Sequence, residues 1–162
     1  MDYVEVGGLR VAFKRQGEGP PLVLLHGWPS NSREWRHQLD ALSDEFTVLA
    51  WDAPGAGQSS DPPEMLGLAD WADCLAAFLE KLGYGRAHIA GLSWGGGLAL
   101  ELYRRHPTIP RALILTSAYA GWAGSLPAGV APAFWRQRRA SSQGGLGAAA
   151  FRDPPIETGA AT

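Results

Sequence analysis

"HIAGLSWGGGLAL", residues 88–100, sets a serine between glycines at the end of an apolar run. "RAHIAGL" before the serine reads as a strand, and "WGGGLALELYRRH" after it reads as a helix ended by Pro107. Gly91-Leu92-Ser93-Trp94-Gly95 fits G-x-S-x-G. In a chain with 21 glycines that pattern alone says little. Its place between a strand and a helix gives it meaning, because a sharp turn there exposes the serine hydroxyl. Gly91 and Gly95 let the two backbones approach more closely than a Cβ allows, and the serine is forced into a strained region of φ/ψ. The helix N-terminus then points its N–H groups at any negative charge forming nearby, with the Trp94 N–H the natural oxyanion donor. The alternative is a phosphate loop, but neither G-x-x-x-x-G-K-[ST] nor a G-x-G-x-x-G that opens a helix is present.

Outward from this turn the chain alternates. "YVEV" and "LRVAFKRQG", parted by Gly7-Gly8, predict an N-terminal hairpin. "PPLVLLHG" and "FTVLAWD" are continuous apolar runs that suit buried strands. "NSREWRHQLDALSDEF" carries Trp35, Leu39 and Leu42 at helical spacing, with Ser30 or Ser32 as cap. "APGAGQSSDPPEML" is a loop, Leu68 to Leu82 an amphipathic helix stopped by Gly83, and "RALILTS" a further strand. The alternation predicts the α/β class: a parallel sheet with helices on both faces, preceded by an antiparallel hairpin.

The chain has 162 residues, enough for one domain with a real core. Apolar residues make up 46 % and charged residues 19 %, with a net charge of −2, so nothing points to nucleic acid or a membrane surface. Cys74 is the single cysteine, which excludes an intramolecular disulfide and a cysteine metal cluster. It is expected on the buried side of its helix, as a packing residue and not a reactive thiol. "MDYVEVGGLR" lacks a basic segment followed by an apolar one, and no apolar run approaches a membrane span. The expectation is a cytoplasmic protein.

A second constellation, His26-Gly27-Trp28-Pro29, ends the strand "LVLLHGWP". Together with "WDAPGAGQSS" at 51–60 and "GLSWGG" at 91–96, it resembles the α/β-hydrolase family in order, spacing and position at strand ends. The likeness covers roughly the first 125 residues. It implies an α/β-hydrolase core in which Ser93 is the nucleophile and the backbone N–H groups of Trp28 and Trp94 form the oxyanion hole. It also implies that His26 is structural and orients the oxyanion loop, with Gly27, Gly91 and Gly95 shaping the site. Asp52, Gly55 and Gly57 would form a structural turn beside it. No cofactor and no metal is implied. A serine at this turn, not an aspartate, argues against haloalkane dehalogenase or epoxide hydrolase chemistry. It leaves a small-molecule substrate with an ester, lactone, amide or carbon–carbon bond next to a carbonyl. Trp94 beside the serine resembles the proline-iminopeptidase and enol-lactonase branches.

The family orders its triad as serine, then acid, then histidine. The only histidine after Ser93 is His106, at the far end of a helix roughly 18 Å long, where it reads as a helix cap. His37 lies in the first helix and His88 at the wrong end of its strand. Of the late carboxylates, Glu101 sits within the helix, and Asp153 and Glu157 follow no apolar strand. The triad is therefore expected to be incomplete and acyl transfer impaired. Residues 126–162 show no sustained period and are rich in Ala, Gly, Pro, Ser and Arg, with a net charge of +2 from Phe134 onward. They are expected to form an irregular, disordered tail after a domain at 1–125. A shift of reading frame near Gly129 to Pro132 accounts for that composition; a natural lid fragment completed by another chain and a truncation are the alternatives. Two further readings follow. One is a catalytically dead binding module with Trp28, Trp94, Trp122 and Trp135 lining an apolar pocket, set against tryptophans that pack a core. The other is a non-functional product that self-associates through "RALILTS" as an exposed sheet edge.

Overall fold

The computed structural model describes residues 1–63 and 66–118. The expected tail at 126–162, with Trp135, Asp153 and Glu157, lies outside the described residues, as does Trp122. The strands are β1 (Asp2–Val6), β2 (Leu9–Gln16), β3 (Pro21–Leu25), β4 (Thr47–Trp51), β5 (Ala87–Leu92) and β6 (Pro110–Thr116). The α-helices are α1 (Arg36–Leu42), α2 (Leu68–Lys81) and α3 (Trp94–Arg105). Among the described residues the strands form one sheet in the order β1-β2-β4-β3-β5-β6. β1, β2 and β4 pair antiparallel in turn. β4, β3, β5 and β6 pair parallel. The expected class is therefore observed, with the hairpin turning at Gly7 (φ +55°) and Gly8 (φ +80°).

Strand alternation sorts the core into two layers. On one face Leu22, Leu24, Val48, Ala50 and Ala90 pack with Leu39 of α1, flanked by Trp35, Leu42 and Phe46. On the other face α2 and α3 contribute Trp71, Leu75, Phe78, Leu98 and Leu102, all buried. Phe78 meets Phe13 edge-on at 5.2 Å and Trp51 at 5.8 Å. Both faces of β3, β4 and β5 are covered, which is why they read as unbroken apolar runs.

The region read as one helix over 31–46 differs. A 3-10 turn at Ser32–Trp35 precedes α1, which ends at Leu42. Its cap is neither Ser30 nor Ser32 but Asn31, whose side-chain oxygen accepts the Arg33 N–H at 3.0 Å. Ser32 is buried and gives its N–H to Asp52 Oδ1 at 2.7 Å, so the serine is committed to the core side. Cys74 is half-buried rather than buried. Desolvation still pushes its thiol up to about 11, so it is not a reactive thiolate. Among the described residues no helix is long and apolar enough to cross a membrane.

Candidate active site

β5 delivers the chain to Ser93, and α3 starts at the next residue. Ser93 sits at φ 52°, ψ −113°, a conformation that disfavours any residue with a Cβ. Three contacts hold it there. Its N–H donates to the Thr116 carbonyl of β6 at 2.8 Å. Its carbonyl accepts the Gly96 and Gly97 N–H groups at 2.9 and 3.1 Å, closing the first turn of α3. The glycines on either side are required by approach. A Cβ on Gly91 would strike the Gly95 carbonyl and the Gly96 nitrogen, and one on Gly95 would strike the Leu25 and His26 carbonyls. The elbow is thus seated directly on the end of β3. Ser93 is half-buried.

The end of β3 runs into His26-Gly27-Trp28-Pro29, with the Trp28–Pro29 peptide bond cis. His26 is fully buried. Its Nε2 accepts the Ala53 N–H at 3.1 Å, which leaves the proton on Nδ1, where it is donated to the Gly27 carbonyl at 2.8 Å. The ring therefore ties this loop to the turn after β4. That turn is built on Asp52, buried, with Oδ1 on the Ser32 N–H and Oδ2 on the Gln58 N–H at 2.8 Å. Gly57 (φ +54°) leaves no room for a side chain against the Asp52 carboxylate, and Gly55 also has positive φ. The Gly27 carbonyl accepts the Ser30 N–H at 3.0 Å as well. The Gly27 N–H donates to Glu34 Oε2 at 2.8 Å. A Cβ built on Gly27 would lie 3.7 Å from the Ser93 Cβ, so this loop and the serine face one another.

Trp94 joins the pieces from below. It is 1 % exposed and packs edge-on to Trp71 at 5.2 Å and Trp28 at 6.0 Å, and tilted against His26 at 6.0 Å. Trp94 therefore belongs to the core and does not line an open pocket as the binding-module reading expected. Its backbone N–H is the first of α3 and has no acceptor inside the helix, as at any helix start. Trp71 is buried on α2 and donates its indole N–H to the Pro54 carbonyl at 3.3 Å.

The expected site residues Ser93, Trp28, Trp94, His26, Gly27, Gly91 and Gly95 thus converge on one end of the parallel strands. The histidines other than His26 do not join them. His106 Nε2 lies 2.7 Å from Asp73 Oδ1, at the opposite end of α3 from Ser93. Arg105 Nε also bonds Asp73 Oδ1, at 2.8 Å. The Arg105 hydrogen bond, with those of His106 behind it, outweighs desolvation and lowers the Asp73 carboxyl to about 2. His37 is exposed on α1, and the His88 ring packs on Phe46. Glu101 is paired with Arg104 at 2.7 Å. Among the described residues no side chain is hydrogen-bonded to Ser93 Oγ. Sequence reasoning missed Glu34, which has no motif signature and meets this loop only by folding back on Gly27.

A family model of the alpha/beta hydrolase fold matches residues 20–160. The acetyltransferase component of an acetoin cleaving system from Cupriavidus necator is 42 % identical over 103 residues, covering 62 % of this chain and 27 % of that protein. A soluble epoxide hydrolase from a Corynebacterium species is 36 % identical over 111 residues, covering 68 % of this chain and 39 % of that protein. A thermophilic esterase from Thermogutta terrifontis superimposes with a TM-score of 0.71 at 32 % identity, over 74 % of this chain and 47 % of that one. The chain spans less than half the length of each of these relatives.

Proposed function

The chain belongs to the alpha/beta hydrolase fold family, and from that premise we propose that Ser93 is an acyl-transfer nucleophile whose chemistry is impaired in this chain. The observation that carries this reading is the Ser93 backbone, held at positive φ between a strand and a helix N-terminus by glycines that admit no side chain. Such strain persists where the surrounding fold enforces it, and it clusters at reactive positions.

In the proposed reaction Ser93 Oγ attacks the carbonyl carbon of an ester, lactone, amide or ketone-type substrate. The Trp28 and Trp94 backbone N–H groups stabilise the oxygen as it gains charge, and the bond to the leaving group breaks to give an acyl-serine that water hydrolyses. Two positioned donors supply several kcal/mol to that transition state. Among the described residues no base stands at the hydroxyl to take its proton: His106 is paired with Asp73, His37 is exposed on α1 and the His88 ring packs on Phe46. Without a base a serine hydroxyl is a weak nucleophile, and what survives is the contribution of the hole and of binding. Epoxide opening, the activity named for one relative, fits a serine poorly. It would leave an alkyl ether on Oγ, with no carbonyl for water to attack. The substrate is a small molecule, and the reaction calls for no cofactor.

A fluorophosphonate probe read by intact mass tests the proposal. Labelling is expected to be slow, confined to Ser93 and absent in Ser93→Ala. Fast stoichiometric labelling would overturn the impairment, and labelling that survives Ser93→Ala would overturn the assignment of the nucleophile.

A further inference from the structure

The loop carrying the Trp28 amide rests on a glycine. Gly27 has no side chain to anchor it, and its peptide planes rotate at little steric expense. The direction of the Trp28 N–H is therefore set by what holds the two planes that meet at Gly27. The plane after Gly27 contains both its carbonyl and the Trp28 N–H, pointing opposite ways across a planar trans peptide. That carbonyl is fixed by the Ser30 N–H at 3.0 Å and by His26 Nδ1 at 2.8 Å. The plane before Gly27 contains its N–H, which donates to Glu34 Oε2 at 2.8 Å. A hydrogen bond to a carboxylate is roughly twice as strong as one between neutral groups.

Glu34 is itself well mounted. It lies in the 3-10 turn at Ser32–Trp35, and its N–H donates to the Asn31 carbonyl at 3.1 Å. That turn is tied to the buried Asp52 through the Ser32 N–H. The connection runs from Asp52 to Ser32, to Glu34, to Gly27, and Gly27 faces Ser93.

We infer that Glu34 is a positioning residue: its carboxylate latches the Gly27 amide and, together with the Ser30 and His26 bonds to the Gly27 carbonyl, holds the direction in which the Trp28 N–H is offered to a carbonyl bound at Ser93. The inference rests on the proposed role of Ser93. Glu34 touches no reacting atom; it acts through the backbone, on the peptide plane that the Ser30 bond does not hold.

The test compares Glu34→Ala, Glu34→Gln and Glu34→Asp. Glutamine keeps an acceptor oxygen at the same reach, aspartate is one methylene short, and alanine removes the acceptor. Two quantities are read in each: the rate of fluorophosphonate labelling at Ser93, and the backbone amide resonances of Gly27 and Trp28. Labelling is expected to fall about tenfold in Glu34→Ala, less than the loss of a whole oxyanion donor. Both amide resonances should move and lose protection from exchange, and Glu34→Gln should restore rate and resonances while Glu34→Asp does not. Unchanged amide resonances in Glu34→Ala would overturn the latch, as would a Glu34→Gln chain that falls as far as alanine. If Glu34→Ala does not fold, the contrast between glutamine and aspartate decides the matter in the same way. A chain in which Ser93→Ala labels as fast as the parent defeats the nucleophile reading alone, and the amide resonances then still judge Glu34.

Discussion

At the scale of the residue, Ser93 stores strain that glycine would not. A residue with a Cβ at φ 52° is held against a penalty of roughly 1–2 kcal/mol, while glycine gives back part of that through its freer unfolded chain. Ser93→Gly is therefore expected to melt higher than Ser93→Ala by about 1 kcal/mol of stability, although neither can be labelled. Equal melting points for the two would mean the elbow is not strained. The G-x-S-x-G turn was legible because everything it needs is local: a β-rich run, flanking glycines and a helix start within a dozen residues. The bond from Gly27 to Glu34 was not legible. Seven residues separate the partners, and no spacing rule says that a surface carboxylate will turn back onto a glycine amide.

At the scale of the element, α2 and α3 are tied at one end by Asp73, which meets Arg105 and His106 from 32 and 33 residues away. The Asp73 carboxyl titrates at about 2 in the fold against 3.8 when unperturbed. Its folded value is the lower one, so the tie contributes fully above about pH 4 and is lost as pH falls through about 2. The side chain is 44 % exposed, and water screens much of the interaction. Asp73→Asn is expected to lower the melting temperature at pH 5 and to converge on the parent near pH 2. A gap that persists at pH 2 would assign the loss to packing. The helices and strands themselves were readable from periodicity. The break at Ser32–Trp35 was hidden, because one turn of 3-10 helix keeps Trp35 and Leu39 on nearly the same face as a continuous α-helix. His106 was correctly placed away from Ser93 by helix length alone; that it meets Asp73 follows from the packing of α2 on α3.

At the scale of the whole molecule, the described sheet ends in β6. Ile114 and Leu115 on that strand are 53 % and 41 % exposed, on opposite sides of it. Among the described residues this strand has a partner on one side only, and an edge strand with apolar side chains invites pairing. Concentration-dependent association is the expected behaviour, weakened several-fold by Ile114→Lys when followed by sedimentation. A parent chain that stays monomeric at every concentration would remove this edge as its cause. The α/β class and the hairpin before it were legible in the alternation of strand and helix. Core packing of Trp94 was one of the two readings open in the sequence; its partners were not legible, since Trp28 and Trp71 come from segments 66 and 23 residues earlier. The same outer strand has a further consequence for the serine. Ser93 borrows its amide's acceptor from Thr116, the last residue of β6. The margin of the sheet is thus a splint for the elbow: when the rim frays, the serine's pose loosens with it, and whatever braces the rim also keeps the serine cocked.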